Sequence, residues 1–306
     1  MISICIPLYN FDARPLVAAL SEQMKGLHAD CEIICIDDAS DPEWKTIIDE
    51  TGAMCQTFIR LNENVGRARI RNLFLLYARY HYLLFLDGDS LICNSEFLNN
   101  YCQIIRQVAP DVVCGGRVYP TVCPGRAQRL SWEYGTRCES KPAAIRKISP
   151  HNSFLTNNFL IRKSVLEQIR FDERLSAYGH EDTLFGFELK QKGIGILHTE
   201  NAVLNGDVET NKRFLTKSEE AIFNLIQMSE FVPFYKDLIN DISLLRFHSR
   251  IKKQGLELPV YLAFILSERF IKMLLSRGFV SLTLFNFYKT GVLIRAKRNS
   301  NYKNKN

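Results

Sequence analysis

The sequence has no uninterrupted run of about 20 apolar residues, the length that a helix needs to cross a bilayer. Its longest apolar stretch, 258–295, is broken by Ser267, Glu268, Arg269, Lys272 and Arg277. Met1 leads directly into the short apolar run 2–6, without the basic start or the small-residue cleavage site of a signal peptide. We therefore expect neither a spanning helix nor a secretory leader.

The sequence also has no CxxC pair, and its nine cysteines are an odd number. These two features argue against a zinc ribbon and against a disulfide framework. Several of the cysteines lie in apolar runs, where cysteine behaves as a small buried hydrophobe. Reduced thiols, and hence a cytoplasmic protein, are the simplest expectation.

No strong excess of charge defines the chain, because 24% of its 306 residues are charged and the formal net charge is +6. We expect no nucleic-acid partner, although a basic tail ends the chain: Arg295, Lys297, Arg298, Lys303 and Lys305. This tail is either solvated or a peripheral contact with anionic lipid. The length favours one catalytic domain, 1–230, and a helical C-terminal extension, 231–306.

Short apolar runs alternate with amphipathic stretches of helix length over the first 120 residues. The predicted strands are nearly all apolar, as strands covered on both faces must be: 2–7, 32–36, 56–59, 82–86 and 112–114. Helices are predicted in the intervening stretches: 16–24, 42–50, 65–80 and 95–107. The alternation predicts an α/β domain with a mostly parallel, doubly wound sheet.

The segment 119–150 is rich in Pro, Gly, Arg and Cys and has no clear periodicity. Such a composition predicts an insertion or a mobile loop over the ligand site. Strand and helix signals return over 154–197, and the sequence becomes helical after Thr216.

The clearest candidate site is formed by Asp87 and Asp89, which follow the apolar strand at 82–86. Ligands of such sheets bind beyond the C-terminal ends of the strands. Two carboxylates at i and i+2 point to the same side and repel each other unless a cation compensates them. One interpretation is Mg²⁺ or Mn²⁺ bridging them to a diphosphate. The other is a turn with an aspartate helix cap.

Two further strand ends carry groups suited to a nucleotide. Asp37 and Asp38 end the second strand, where a carboxylate accepts hydrogen bonds from a ribose hydroxyl or a uracil imide, or caps the next helix. Pro7, Tyr9 and Asn10 end the first strand. There the proline fixes the turn and Tyr9 offers a flat face for stacking on a base.

Arginines and acids mark the start of two predicted helices. Arg67 and Arg71 lie four residues apart, so both face the same side near a helix N-terminus that favours phosphate, whereas Arg69 faces elsewhere. A solvated basic face is the alternative. Glu181 and Asp182 follow a Gly-containing turn and are either helix-dipole partners or, for one of them, a general base.

Taken in order, these motifs resemble those of the family 2 glycosyltransferases. They are Pro7-x-Tyr9-Asn10, Asp37-Asp38-x-Ser40, Asn64-x-Gly66 with Arg71-Asn72, Asp87-x-Asp89 and Glu181-Asp182. Each motif is weak alone, but five in the right order, each at a predicted strand end or helix start, make chance a poor explanation. The resemblance covers 1–230 and implies the GT-A nucleotide-diphosphosugar transferase fold, which is Rossmann-like.

The resemblance also implies roles for individual residues. Tyr9 and Asp37 or Asp38 would hold the base, and Asp87 would reach the ribose or the sugar. Asp89 would ligate Mn²⁺ or Mg²⁺. By the same resemblance, the catalytic base and the acceptor contact would be Asp182 and Glu181.

The implied activity is inverting transfer of a hexosyl or N-acetylhexosaminyl group without a covalent intermediate. The donor would be a nucleotide-diphosphosugar, with a UDP-sugar favoured. The acceptor would be a hydroxyl of a glycan or a lipid-linked molecule in surface polysaccharide or lipopolysaccharide synthesis. Such an enzyme would work in the cytoplasm, or peripherally at the inner membrane face.

One departure from the family pattern concerns the metal. Similar bacterial members often carry a histidine after the last core strand as a third metal ligand, and Asn205 takes that place here. Asparagine is a poorer ligand. Either His198 replaces it, or Asp89, diphosphate and water hold the metal alone, or metal affinity is reduced.

Three other interpretations compete with this one. A nucleotidyltransferase would show a Gly-rich basic N-terminal loop, and 7–14 contains no glycine. A catalytically weakened core, acting as a scaffold or a membrane-associated assembly factor, would use 258–306 as its working part. A Rossmann dehydrogenase is disfavoured because no GxGxxG follows the first strand.

Overall fold

The computed structural model describes residues 1–175, 178–233 and 235–303. Lys305 of the basic tail lies outside the described residues. The chain forms two compact units. The first comprises 1–120, 138–175 and 181–207, and the second comprises 121–137, 178–180 and the described residues from 208 onward. The second unit takes up the chain again at residue 208, whereas the sequence pattern predicts a boundary near 230.

The described residues of the first unit form these strands: β1 (Ile2–Leu8), β2 (Cys31–Asp37), β3 (Thr57–Arg60), β4 (Tyr82–Leu86), β5 (Ser90–Leu91), β6 (Val112–Cys114), β7 (Arg117–Val118), β8 (Asn158–Arg162), β9 (Ile196–His198) and β10 (Val203–Asn205). The helices, in chain order, are α1 (Arg14–Lys25), α2 (Lys45–Ala53), α3 (Arg67–Tyr77), α4 (Phe97–Val108), α5 (Arg129–Tyr134), α6 (Ala143–Arg146), α7 (Lys163–Gln168), α8 (Glu181–Gln191), α9 (Asn211–Phe231), α10 (Tyr235–Asp241), α11 (Ser243–Lys253), α12 (Glu257–Ser276) and α13 (Leu282–Lys303). Helices α5 and α9–α13 belong to the second unit.

A central sheet in the order β3-β2-β1-β4-β8-β6-β9 forms the framework of the first unit. The five strands expected from the sequence are all present, and β1 pairs in parallel with both β2 and β4. β8 is antiparallel to β4 and to β6, so the sheet is mixed, though mostly parallel. The α/β expectation is confirmed, with this one reversal.

The strands of the central sheet are apolar because both faces are covered. Ile4 and Ile6 of β1 face a cluster that contains Leu16 of α1. Cys5 faces the opposite cluster, which contains Phe74 of α3. Alternate residues of a strand point to opposite faces of the sheet. Because both faces are buried here, the strands are mostly apolar on both faces instead of alternating between apolar and polar residues.

A smaller sheet in the order β5-β10-β7 lies beside the end of β4. Asn205 pairs with Ser90, and Val203 pairs with Arg117. This sheet therefore brings together three segments that are far apart in the sequence. One of them, β5, begins directly after Asp89.

The segment expected to be an insertion or a mobile loop contains helical structure instead. It includes α5, a π-helical turn over Gly135–Glu139 and α6. Within the second unit, the Asn211 side chain at the start of α9 accepts a hydrogen bond from the backbone N–H of Leu130 at 2.8 Å. Side-chain bonds of this kind order the segment without producing a sequence periodicity.

The second unit is helical, and α12 and α13 pack closely within it. Phe264 of α12 is fully buried, and a Cβ at Gly291 of α13 would lie 2.1 Å from its ring. Glycine at 291 thus permits this approach of the two helices. Among the described residues, none of the helices is both long and apolar enough to cross a membrane.

Candidate active site

Asp87 lies directly after β4, between two guanidinium groups of α3. Arg71 Nη2 is 2.8 Å from its Oδ1, and Arg67 Nη2 is 3.2 Å from its Oδ2. Burial opposes ionisation, but the charges of Arg67, Arg71 and Arg117 together lower the pKa of Asp87. Asp87 is therefore an ionised carboxylate held by cations of the protein.

The expected orientation of the arginines on α3 is confirmed. Arg67 and Arg71 both contact Asp87, whereas Arg69 points to Glu173, at 3.9 Å. The four-residue spacing puts the first two on one face of the helix. Their role toward a nucleotide stays a prediction.

Arg67 also joins Asp87 to the start of α8. Its Nε is 2.8 Å from Glu181 Oε1, and Arg71 Nη1 is 3.9 Å from the same oxygen. Because a charged group inside a protein needs a partner, the two arginines and two carboxylates form one interdependent network. This network connects the C-terminal edge of the sheet to the helix that carries Asp182.

Asp182 occupies the first turn of α8, after a turn with left-handed backbone at Gly179 (φ +98°) and His180 (φ +68°). The backbone N–H of Thr183 donates to Asp182 Oδ1 at 2.6 Å. Burial, together with the adjacent charge of Glu181, raises the pKa of Asp182 to about 7. A carboxyl group that exchanges its proton near neutral pH is suited to general-base catalysis.

Asp89 offers a free carboxylate oxygen. Among the described residues, no group lies within hydrogen-bond distance of its buried Oδ1. Its Oδ2 is 3.5 Å from Arg117 Nη2, and burial raises its pKa above the usual range. The backbone N–H of Gly206 donates to the Asp89 carbonyl at 2.8 Å, so the smaller sheet fixes this residue.

Arg117 is the site residue that sequence reasoning missed. Besides Asp89, its Nη2 contacts Asn205 Oδ1 at 2.6 Å, and its guanidinium lies over the Tyr119 ring at 5.4 Å. Glu139 lies 3.7 Å from its Nη1. The signal that could have found Arg117 is its position just after β6, because residues that follow strand ends of such a sheet face the ligand site.

Asp89 is the residue that best fits a divalent cation, because a buried carboxylate oxygen without a partner is what such an ion requires. Two other candidate metal ligands, Asp87 and Asn205, are already engaged. Both oxygens of Asp87 accept from arginines, and Asn205 Oδ1 accepts from Arg117. Among the described residues, no group of three His, Cys, Asp or Glu side chains is arranged to hold a metal.

His198 is a correction to the expected metal ligands. It lies buried on β9, with Nδ1 2.8 Å from Arg146 Nη1 and Nε2 2.9 Å from the Pro150 carbonyl. Since the guanidinium only donates, Nδ1 accepts and Nε2 donates, and no lone pair is left for a metal. The alternative in which His198 replaces the missing ligand therefore does not fit these contacts, and metal ligation by Asp89 stays a prediction.

Asp37 and Asp38 both make hydrogen bonds inside the protein. Asp37 Oδ1 accepts from the Ser40 hydroxyl at 2.6 Å, and its Oδ2 lies 3.1 Å from Arg60 Nε. Asp38 accepts from the backbone N–H groups of Val65 and Gly66 in the loop before α3. Both carboxylates therefore order loops, and their role toward a nucleotide stays a prediction.

The end of β1 contains one exposed candidate. Tyr9 is 50% exposed, which leaves its ring available for stacking. Asn10 has φ +49° and links this loop to the next one, because its side chain donates to Asp41 Oδ2 and accepts from the Asp41 N–H. Pro7 lies inside β1 rather than in a turn, beyond the residues that pair with β4, where its missing N–H is tolerated.

Comparisons with known proteins agree with this arrangement. The family model described as "Glycosyl transferase family 2" matches residues 3–170, more than half of the chain. Glycosyltransferase GlyG of Streptococcus pneumoniae serotype 4 is 25% identical over 124 residues, which are 38% of this chain and 38% of GlyG. An uncharacterized glycosyltransferase of Haemophilus influenzae is 30% identical over 110 residues, 35% of this chain and 34% of that protein.

Similarity to solved structures concerns the fold. The mannosyltransferase PcManGT of Pyrobaculum calidifontis, in complex with GDP-Man and Mn²⁺, has a TM-score of 0.58 at 12% identity and covers all of this chain and 88% of that one. The two curated relatives are matched over little more than a third of their lengths, so their activities are not transferred with the match. The match to the family model, in contrast, includes β1–β8 and the Asp87-x-Asp89 motif, and by it the chain belongs to glycosyl transferase family 2.

Proposed function

We propose that this protein is an inverting, divalent-metal-dependent glycosyltransferase. Its donor is a nucleotide-diphosphosugar, with a UDP-sugar favoured, and its acceptor is a hydroxyl of a glycan or a lipid-linked molecule. The observation that carries the proposal is the network in which Arg67 joins Asp87 to Glu181, next to Asp182. This network links the strand end that carries Asp89 to the start of α8, where Asp182 has a pKa raised to about 7.

In the proposed reaction, Asp182 takes the proton of the acceptor hydroxyl. The acceptor oxygen forms its bond to the anomeric carbon as the bond from that carbon to the diphosphate oxygen breaks. One displacement inverts the anomeric configuration and requires no covalent intermediate. Glu181 has Arg67 as its ion-pair partner, so we assign it the positioning of α8 in addition to the acceptor contact.

The leaving nucleoside diphosphate carries negative charge, and the site offers several cations to meet it. Mn²⁺ or Mg²⁺ held at Asp89 Oδ1 would supply Lewis-acid stabilisation of that charge. Arg67 is 38% exposed on its side chain and is placed to contact a phosphate, whereas Arg71 is buried against Asp87. The GDP-Man and Mn²⁺ bound by PcManGT, a protein of similar fold, are the ligand classes that we infer here.

The nucleoside is assigned to the ends of β1 and β2. Tyr9 is the exposed aromatic ring on which a base can stack. Asp37 and Asp38 shape the adjoining loops. Asp37 Oδ1 already accepts two hydrogen bonds from Ser40, so Asp37 Oδ2 and the two oxygens of Asp38 are the ones assigned to a ribose hydroxyl or a base N–H. Synthesis of surface polysaccharide or lipopolysaccharide is the pathway class that suits such a donor and acceptor.

Release of nucleoside diphosphate tests the proposal. UDP-, GDP- and dTDP-sugars are screened with Mn²⁺ and with Mg²⁺, using wild type, Asp89→Ala and Asp182→Asn. Glu188→Gln is a matched control, because Glu188 lies on the same helix as Asp182 and its pKa is also raised to about 7, by burial and by Asp172. We expect metal-dependent release of nucleoside diphosphate from one donor class. Asp89→Ala and Asp182→Asn should abolish this release, and Glu188→Gln should preserve it.

Two results would count against the proposal. Release that survives both substitutions would remove Asp89 and Asp182 from the reaction. Binding of UDP without release from any donor would favour the alternative of a weakened scaffold, in which the Arg117–Asn205 contact marks a site that binds and does not react.

A further inference from the structure

Helix α12 of the second unit carries an exposed apolar face. Its members are large hydrophobic side chains between 37% and 89% exposed: Leu258, Leu262, Ile265, Leu266, Phe270 and Met273. Steps of three and four residues separate most of them, so they share one side of the helix. We call these six residues the α12 apolar face.

This face is not the one that packs in the helical unit. Phe264, Ile271 and Leu275 are at most 4% exposed and form the opposite side of α12. The helix is thus apolar on both sides, although only one is needed for packing. Contiguous exposed apolar surface of this kind usually marks a binding surface.

The charges around the α12 apolar face are nearly all positive. Lys252 and Lys253 are exposed just before α12, Arg269 is exposed on it, and Arg277 is exposed just after it. Lys272 is exposed on α12 as well, but its Nζ lies 2.6 Å from Glu219 Oε1 and is paired there. Residues 208–306 carry 17 Lys and Arg against 8 Asp and Glu, a formal charge of +9, whereas residues 1–207 carry 22 against 25, a charge of −3. The positive charge of the chain is therefore concentrated in the part that contains this face.

The two acids of α12 have cationic or polar partners away from this face. Glu268 Oε2 lies 2.6 Å from Arg295 Nη1, and Glu257 Oε2 lies 3.4 Å from His248 Nε2. Arg269, in contrast, lies among the apolar side chains. A long basic side chain in that position can bury its stem and keep its charged head at a polar interface.

We propose that the α12 apolar face and its flanking cations bind the surface of an anionic lipid bilayer, with α12 lying in the plane of the interface. Apolar side chains inserted at the headgroup level, together with cations facing acidic lipids, are the two components of such binding. A second copy of the chain is a poorer partner, because two like-charged surfaces would then face each other. The inference rests on the second unit and does not depend on the donor or on catalysis.

Vesicle flotation of the full chain tests it, without any nucleotide. Vesicles of phosphatidylglycerol and phosphatidylcholine are compared with vesicles of phosphatidylcholine alone, for wild type and for the double variant Leu266→Glu with Phe270→Glu. Leu76→Glu is the matched control, because Leu76 is a 74% exposed leucine of the first unit. Circular dichroism and size-exclusion chromatography with light scattering establish that each variant is folded and give its mass.

We expect wild type and Leu76→Glu to float with the anionic vesicles, to bind them less as salt is raised, and to bind neutral vesicles weakly. The double variant should bind the anionic vesicles at least about tenfold more weakly. The proposal is overturned if wild type does not float, or if the double variant floats as wild type does. A wild-type dimer that the double variant converts to a monomer, without flotation of either, would instead assign the face to a second copy.

Discussion

At the scale of single residues, Asp182 is the group whose protonation controls the proposed reaction. Its pKa is raised to about 7, by burial first and by Glu181 second. A general base acts in its deprotonated form, so the rate should fall as pH falls through this pKa and level off above it. We expect a loss of about tenfold per pH unit below that point, measured as turnover against pH with saturating donor and metal.

Two variants identify the titrating group. Asp182→Asn should lose about 100-fold to 10,000-fold in turnover at all pH values. Glu188→Gln should keep both the rate and the pH profile, although the pKa of Glu188 is also raised to about 7. A profile that shifts in Glu188→Gln and persists in Asp182→Asn would show that the assignment of the base is incorrect.

Arg71 is the residue whose loss should most weaken the first unit. It is 1% exposed, and its removal leaves Asp87 with one fewer cation inside the protein. Arg71→Met should lower the free energy of unfolding by about 3 to 5 kcal/mol. Arg69→Met, which breaks an exposed 3.9 Å contact with Glu173, should cost less than about 1 kcal/mol.

Urea unfolding followed by circular dichroism measures both variants. If Arg71→Met and Arg69→Met are equally stable, the buried Arg71–Asp87 pair stabilises the protein no more than the exposed Arg69–Glu173 pair does. Equal stability would also remove the physical reason for treating Arg67, Arg71, Asp87 and Glu181 as one network.

The sequence predicted part of this residue-scale arrangement. Asp87, Asp89, Arg67 and Arg71 were expected at one edge, because strand ends meet there and helical spacing is regular. The partners of these groups were not predictable, since Arg117 and Asn205 are 88 residues apart in the chain and meet only through the smaller sheet. His198 was misassigned for the same reason, because its partner Arg146 is 52 residues away.

At the scale of elements, the turn after β6 positions Arg117. Gly116 has φ +95°, and a Cβ there would lie 2.7 Å from Arg146 Nη2. That guanidinium is itself fixed, because it donates to the carbonyls of Gly115 and Thr199. Gly116→Ala should therefore cost about 2 to 4 kcal/mol in unfolding free energy and displace Arg117 from Asp89.

The matched control is Gly193→Ala. Gly193 has φ +68°, and a Cβ at this position would meet no atom of the described residues within 4 Å, so the substitution bears only the backbone cost of about 1 kcal/mol. Thermal unfolding of both variants checks the difference. If Gly193→Ala is as destabilising as Gly116→Ala, the contact with Arg146 plays no part.

Most elements were predictable because local pattern determines them. The apolar strands and the amphipathic helices α1, α3 and α4 follow from their periodicity, although none of the three helices has a side-chain cap at its N-terminus. The place of β8 was not predictable, since an antiparallel strand between β4 and β6 depends on tertiary pairing. The helices within 119–150 were missed because short helices held by side-chain bonds show no period.

At the scale of the whole molecule, chemistry and charge are divided between the two parts of the sequence. Residues 1–207, with a formal charge of −3, carry every candidate catalytic and metal-binding residue, and residues 208–306, with a charge of +9, carry the α12 apolar face. Overall composition gives only the sum of +6. The separation emerges only when charge is counted along the chain.

The first unit is proposed above all to bind a nucleoside diphosphate together with a metal at Asp89. Calorimetric titration of wild type and Asp89→Ala with UDP, GDP and dTDP, each with and without Mn²⁺, tests this binding most directly. We predict that one nucleotide binds wild type at least about tenfold more tightly with Mn²⁺ and that Asp89→Ala loses this gain while keeping its fold. Absence of binding by all three nucleotides, or a metal effect unchanged in Asp89→Ala, would contradict the account.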